Sequence, residues 1–193
     1  MNLLDLIQQL QTHLGIGHPY TQVTTPGTSY GPAVTRLTQT PVTFTTSMTD
    51  PQNRGEYHSD TNQIYINPEL ADDVGNTTRH ESIHALLNFL SPEHAQQLVT
   101  ASPDYDSIAA RIKAAGMSAN SGAPWSEIPA YLGAAQQSQI KGVTDAQRDA
   151  YLQDLHQQLT AVHPQLGSIF QRLVDSSRRT MPQSPQDQVA SGN

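Results

Sequence analysis

Apolar residues recur every three or four positions in several segments of the chain, which is the spacing of an α-helix with one buried face. The first such segment covers residues 2–14, where Leu and Ile are interspersed with Gln, Asp and Thr, and Gly15 ends it. Similar spacing, together with capping residues and prolines, predicts further helices from Asn76 or Thr77 to about Leu90, from Ser91 onwards, over 104–115, from Ser126, from Thr144 to Pro164, and after Pro164.

Two short segments alternate apolar and polar residues instead, which is the spacing of a β-strand. Residues 41–46 form one of them and contain several β-branched side chains. Residues 63–67 form the other. They follow Gly55–Tyr57 and the turn-forming residues 58–62, so the sequence predicts a β-hairpin that Pro68 ends. Many helices and few strands predict a mostly helical α+β fold with a small antiparallel or mixed sheet.

The length of 193 residues suits one domain around one core. We expect this domain to cover residues 1–179, and we expect residues 180–193, rich in Gln, Ser and Pro, to be a disordered tail. No apolar run approaches about 18 residues, which predicts no membrane insertion. The first residues lack both a basic segment and a long apolar segment, so the expected location is the cytoplasm by default.

The charge of the chain limits the classes of partner that it can bind. The formal net charge is −7, and the 10 Lys and Arg residues are scattered. Nucleic acids and anionic membranes attract clustered Lys and Arg, so we expect neither as a partner. There is no cysteine, and therefore any metal ion must be held by His and carboxylate side chains. The sequence does not indicate an oligomeric state.

The strongest chemical signal is the motif H-E-x-x-H, formed by His80, Glu81 and His84 within a predicted helix. Residues four apart lie one turn above each other on one helix face, so both imidazoles can bind one metal ion. Glu81 lies beside them and can take a proton from a metal-activated water. The neighbouring Ile83 and Leu87 are apolar, as a dry catalytic setting requires.

A catalytic zinc ion needs a third protein ligand and one open position. The short three-histidine spacing is excluded, because Leu87 and Leu90 occupy the positions of its Gly and its third His. Two other candidates follow along the chain. His94 lies beyond the predicted helix, and Glu127 lies near the start of a new one.

The pattern resembles the gluzincin zinc metallopeptidases, the group that includes the thermolysin-like enzymes. In that group H-E-x-x-H is followed, after a variable gap, by a ligand Glu on a second helix, often within E-x-x-A. Glu127–Ala130 matches that motif here, and the resemblance covers roughly residues 55–137. It implies a zincin-like domain in which Zn²⁺ is held by His80, His84 and Glu127, with the sheet packed on the active-site helix.

The resemblance also implies an activity. The protein would be a metallopeptidase, expected to be an endopeptidase, that hydrolyses a peptide or protein substrate with Glu81 as general base. Such enzymes place an edge strand before the active-site helix, which implies substrate binding along Ile64, Tyr65 and Ile66. Many of them carry an Asp four residues after the ligand Glu, whereas this chain has Tyr131. The donor to the oxyanion is left open among four residues, which are Tyr131, Tyr151, His156 and His163.

Two other functions are compatible with the same motif. One is a catalytically silent zincin-fold module that binds metal or a protein partner. The other is a zinc hydrolase of a non-peptide amide. The intact Glu81 favours an enzyme, because a protein without catalysis has no use for the base.

Overall fold

The computed structural model describes residues 40–71, 73–116, 124–134 and 140–179. Within these ranges the chain forms an α+β fold of six helices and one three-stranded mixed sheet, which confirms the predicted fold class. The predicted helix over residues 2–14 and the predicted tail over 180–193 lie outside the described residues. The strands are β1 (Val42–Phe44), β2 (Gly55–His58) and β3 (Gln63–Ile66), and the helices are α1 (Val74–Leu87), α2 (Pro92–Thr100), α3 (Tyr105–Ala114), α4 (Pro124–Gly133), α5 (Asp145–Val162) and α6 (Pro164–Arg179).

Helix α1, which carries the H-E-x-x-H motif, begins earlier than the sequence predicts. Its N-cap is Asp73, whose carboxylate accepts a hydrogen bond of 2.9 Å from the main-chain N–H of Asn76. The expected caps Asn76 and Thr77 are therefore wrong, because both residues lie inside the helix. Asp ranks with the best N-cap residues, which favours Asp73 over Thr77. The helix ends at Leu87 rather than at Leu90.

Several other helix boundaries agree with the sequence. Ser91 caps α2 with Pro92 at its first position, and Thr144 forms a capping box with Gln147 at the start of α5. Helix α4 begins two residues before the expected Ser126, so Pro129 lies inside it rather than in its first turn. A proline there removes one N–H from the helix ladder.

The sheet has the strand order β1-β3-β2, with β3 parallel to β1 and antiparallel to β2. The prediction that residues 63–67 form an edge strand is wrong, because β3 lies in the centre. Its main chain is paired on both sides, and the side chains of Ile64 and Ile66 are fully buried. Within the described residues the two edge strands of the sheet are β1 and β2.

Helix α1 lies in the centre of the fold, between the sheet on one side and α4 and α6 on the other. Its Ile83 and Leu86 are fully buried, and so are Ile64 and Ile66 of β3. A Cβ atom added to Gly133 of α4 would overlap Cδ1 of Ile83, so this glycine allows the two helices to approach closely. None of the helices in the described part of the chain is long and apolar enough to cross a membrane.

Candidate metal centre

The two motif histidines meet a carboxylate from the second helix. His80 and His84 project from one face of α1, and their Nε2 atoms lie 3.1 Å apart. Glu127, in the first turn of α4, places Oε2 3.3 Å from Nε2 of His80 and Oε1 3.6 Å from Nε2 of His84. The close packing of α1 on α4 thus joins residues that are 43 positions apart in the chain.

These separations are of the size found between the ligands of a metal site, with a different oxygen of Glu127 facing each histidine. In a tetrahedral zinc site with bonds of about 2.0–2.2 Å, neighbouring ligand atoms lie about 3.3–3.6 Å apart. The observed separations run from 3.1 to 3.6 Å. Two imidazoles and one carboxylate at these distances from one another could hold a metal ion and leave a further position open. The three side chains are between 11% and 17% exposed, so a small molecule can reach a site that is largely dry.

The charge on Glu127 is stabilised by the two histidines. Burial alone would raise the pKa of this carboxyl. Hydrogen bonds and positive charge from His80 and His84 outweigh burial and hold the pKa of Glu127 well below its usual range. The carboxylate is therefore ionised at neutral pH, which is the form that binds a metal cation.

Glu81 points from α1 towards the edge strand β2. It is only 7% exposed, and burial raises its pKa, although the charges of His80 and His84 oppose the shift. A Cβ atom at Gly55 would lie 2.9 Å from Oε1 of Glu81, so the carboxylate lies directly against the main chain of β2. A buried carboxylate with a raised pKa beside a metal site suits a general base.

Tyr131, on α4, contacts the candidate metal triad of His80, His84 and Glu127, which we call the metal triad below. Its ring meets the ring of His80 edge to face, with centroids 4.6 Å apart. Burial and the charges of Glu127 and Glu81 raise the pKa of Tyr131 to about 12, against an opposing effect of Arg54. The phenol therefore stays protonated at neutral pH and can donate a hydrogen bond.

Three other candidate oxyanion donors lie on α5 or at its end. Tyr151 is fully buried and donates to the carbonyl of Val99 at 3.2 Å. His163 accepts a hydrogen bond from the main-chain N–H of Gln165 at the junction of α5 and α6. His156 is half-buried on α5. The contacts of Tyr151 and His163 are thus structural ones within the helical part of the fold.

The other candidate ligand, His94, lies on α2 and, within the described residues, is not part of the group that could hold a metal. The expected substrate strand also needs correction. Ile64 and Ile66 direct their main-chain groups to β1 and their side chains into the core, so neither is open to a peptide. Tyr65 lies on the opposite face of β3 from them, next to His58.

Among the described strands, β2 is the edge strand that lies near His80, His84 and Glu127. The main-chain N–H of Asn67 donates to the carbonyl of Arg54 at 2.9 Å. Hydrogen-bonded pairs alternate in an antiparallel ladder, so Glu56 and His58 also bond to β3. Gly55 and Tyr57 must then direct their main-chain groups away from β3.

Two residues near the site were not singled out by the sequence. Asn88 follows His84 by one helical turn, and its Nδ2 donates to the hydroxyl of Tyr57 at 3.1 Å. Asn88 lies four residues after His84, just as His84 lies four residues after His80. This spacing in the sequence already places Asn88 on the helix face of the two histidines. Tyr57 reaches Asn88 only through tertiary packing, for which the sequence holds no local signal.

Comparison of the chain with protein-family models, with curated proteins and with solved structures finds no match. The class of the site therefore follows from its own residues. They are two histidines and one glutamate, on two packed helices of an α+β fold, that could hold a metal ion.

Proposed function

We propose that the protein is a zinc-dependent metallopeptidase that cleaves within peptide chains. One observation carries the proposal. Nε2 of His80, Nε2 of His84 and the carboxylate of Glu127 converge closely enough to hold one metal ion. The buried Glu81 lies beside them, between the two histidines of H-E-x-x-H.

The donor set supports zinc. Imidazole suits Zn, Cu, Fe and Ni, whereas Mg²⁺ and Ca²⁺ prefer oxygen ligands throughout. Two histidines and one carboxylate also hold Fe(II) in oxygenases, but Glu81 on the same helix supplies the base that zinc-assisted hydrolysis needs. When bound, zinc supplies a Lewis acid that polarises a carbonyl and lowers the pKa of water to about 7.

The protein's own residues supply proton transfer and charge stabilisation. Glu81, whose pKa burial raises, accepts a proton from the attacking water and passes it to the leaving amine. Tyr131, protonated and in contact with His80, donates a hydrogen bond to the oxygen on which negative charge develops.

The substrate would bind as an additional strand along β2. The main-chain groups of Gly55, which point away from β3, can pair with an extended peptide. Because Gly55 lies against Glu81, this pairing brings a peptide bond past the base and the metal ligands. Binding through the main chain fits cleavage within a chain.

The test combines metal analysis with cleavage. Zinc content and hydrolysis of casein and of a peptide library are measured for the native chain and for Glu81→Gln. We expect one zinc per chain in both proteins and a loss of cleavage of about 10²- to 10⁴-fold in the variant, because only the base is removed. His84→Ala is the control that should lose the zinc itself.

Other outcomes would point elsewhere. Zinc without cleavage of any peptide would favour a silent metal-binding module or a hydrolase of non-peptide amides. Another metal in place of zinc, or no metal at all, would overturn the proposal.

A further inference from the structure

Asn88 lies on the same side of α1 as the two histidines. It follows His84 by four residues, which corresponds to about 6 Å along the helix axis and one turn. It is exposed, and its main-chain N–H caps the helix by donating to the carbonyl of His84. The histidine face thus continues into a polar, solvent-accessible amide.

The hydrogen bonds around Tyr57 determine how the Asn88 amide is oriented. The Tyr57 hydroxyl donates its one proton to Oδ1 of Asn62 at 3.1 Å. It can therefore only accept from Asn88, so Nδ2 of Asn88 must face it, at 3.1 Å. Asn62 is itself buried, in a turn with a positive φ of 52°, and also meets the hydroxyl of Thr40.

This orientation leaves half of the Asn88 amide for a ligand. Within the described residues, its side-chain oxygen and its second N–H have no protein partner. One acceptor and one donor side by side complement the N–H and C=O of a peptide group. The polar chain from Asn62 through Tyr57 thus presents a pre-oriented amide next to the metal triad.

We propose, on the basis of the proposed peptidase function, that Asn88 is a substrate-positioning residue that binds the substrate main chain about two residues from the cleaved bond. The distance follows from the geometry, because about 6 Å along α1 corresponds to about two residues of extended peptide. Tyr57, which belongs to the strand β2, orients the Asn88 amide through its hydroxyl.

A purely structural role is the alternative. Asn88 links the end of α1 to β2 through Tyr57, and removing this link could loosen the site for every substrate. The two roles differ in one property. A positioning contact two residues away requires a substrate that reaches it, whereas a structural defect affects long and short peptides equally.

The experiment therefore varies the protein and the peptide length together. A ten-residue peptide that the native protein cleaves is shortened one residue at a time from either end, and kcat/KM is measured for native protein, Asn88→Ala and Tyr57→Phe. Gln157→Ala, which removes an exposed amide on α5, is the matched control. Zinc content and thermal unfolding are recorded for each protein.

We expect Asn88→Ala to lower kcat/KM about 5- to 20-fold for the long peptide, with zinc content unchanged. When the peptide is shortened from one end, the difference in kcat/KM between Asn88→Ala and the native protein should disappear once that end lies within two residues of the cleaved bond. When it is shortened from the other end, the difference should persist. Tyr57→Phe should give a smaller loss with the same length dependence, and Gln157→Ala none.

Two results would overturn the inference. A loss that is equal at all peptide lengths, or no loss, would remove the positioning role while leaving the peptidase function intact. A native protein that binds zinc and cleaves no peptide would overturn the peptidase function and this inference with it.

Discussion

At the scale of single residues, Gly55 shows how a missing side chain shapes the candidate site. A Cβ atom there would lie 2.7 Å from Cγ2 of Thr77 and 2.9 Å from both Cγ and Oε1 of Glu81. Non-bonded carbon atoms prefer about 3.5–4.0 Å, so any side chain larger than hydrogen forces a movement. Glycine thereby allows the edge strand to lie directly against Glu81.

The first prediction concerns this contact. Gly55→Ala should displace Glu81 or push β2 away from α1, because the new methyl group overlaps both. We expect the free energy of unfolding to fall by about 1–3 kcal/mol and kcat/KM to fall at least about tenfold. Denaturant unfolding and peptide cleavage measure the two effects, with zinc content as the control. Unchanged stability and activity would show that β2 moves aside at no cost.

A second prediction tests the donor to the oxyanion. Tyr131→Phe keeps the ring that packs on His80 and removes only the hydroxyl. We expect kcat to fall about 10²- to 10³-fold with little change in KM, because the hydrogen bond forms only as charge develops. Tyr151→Phe, which removes a structural hydroxyl, is the comparison and should affect stability more than turnover. The reverse pattern would contradict the role of Tyr131.

At the scale of elements, the segment before β2 is attached through one carboxylate. Glu56 accepts hydrogen bonds from the main-chain N–H groups of Thr49 and Asp50, from Nδ2 of Asn53 and from the ring of His58. Burial alone would raise the pKa of Glu56, but these donors lower it to about 2. The segment that leads into the edge strand is therefore held by an ionised side chain.

This attachment predicts a dependence of stability on pH. The pKa of Glu56 is lower in the folded protein than the ordinary value of 4.5. Its contribution is therefore complete above about pH 5 and is lost as the pH falls towards about 2. Glu56→Gln should lower the free energy of unfolding by about 1–3 kcal/mol at pH 7, and the difference from the native protein should shrink in acid.

Urea unfolding at several pH values between 2 and 7 measures the effect. Glu69→Gln is the control, because it changes the charge equally at an exposed position. A difference between Glu56→Gln and the native protein that is constant across the whole range would argue against an ionised Glu56 as its cause.

Local elements could be predicted from the sequence, whereas their partners could not. The caps Ser91 and Thr144 were predictable because capping joins residues within one turn. The central position of β3 was not, because β1 pairs with it in parallel across a separation of 22 residues, without a local turn signal.

The same distinction holds within the site. The spacing of His80 and His84 determines that they share a helix face, so their geometry follows from the sequence. The meeting with Glu127 depends on how closely α4 packs on α1, which Gly133 permits by leaving room for Ile83. The sequence holds no local signal for such a contact. Glu127 was a candidate because the three-histidine spacing is excluded, because it lies near the start of a predicted helix and because the pattern resembles a known motif.

At the scale of the whole molecule, a metal ion would join helices from two parts of the fold. Helix α1 packs on the sheet and on α6, and α4 packs on α1, α2 and α5. A metal ion held by His80, His84 and Glu127 would bind the folded state, in which the three ligands meet, more tightly than the unfolded chain.

This arrangement predicts that metal removal destabilises the protein. At a free zinc concentration about 100 times Kd, binding contributes about 2.7 kcal/mol, which corresponds to about 5–10 °C in Tm for a chain of this size. We expect a chelator to lower the Tm of the native protein and of Glu81→Gln by this amount. His84→Ala should not respond, and an equal response in all three proteins would contradict metal binding at this site.

The order of the site residues along the chain has a consequence for biosynthesis. Glu81 and the two histidines all precede residue 85, whereas Glu127 and Tyr131 come more than forty residues after His84. A growing chain on the ribosome therefore carries the complete H-E-x-x-H motif well before α4 has been made. Under the proposed peptidase function, hydrolysis would require α4 to be translated and to dock on α1, so an unfinished chain would not yet attack the peptides around it.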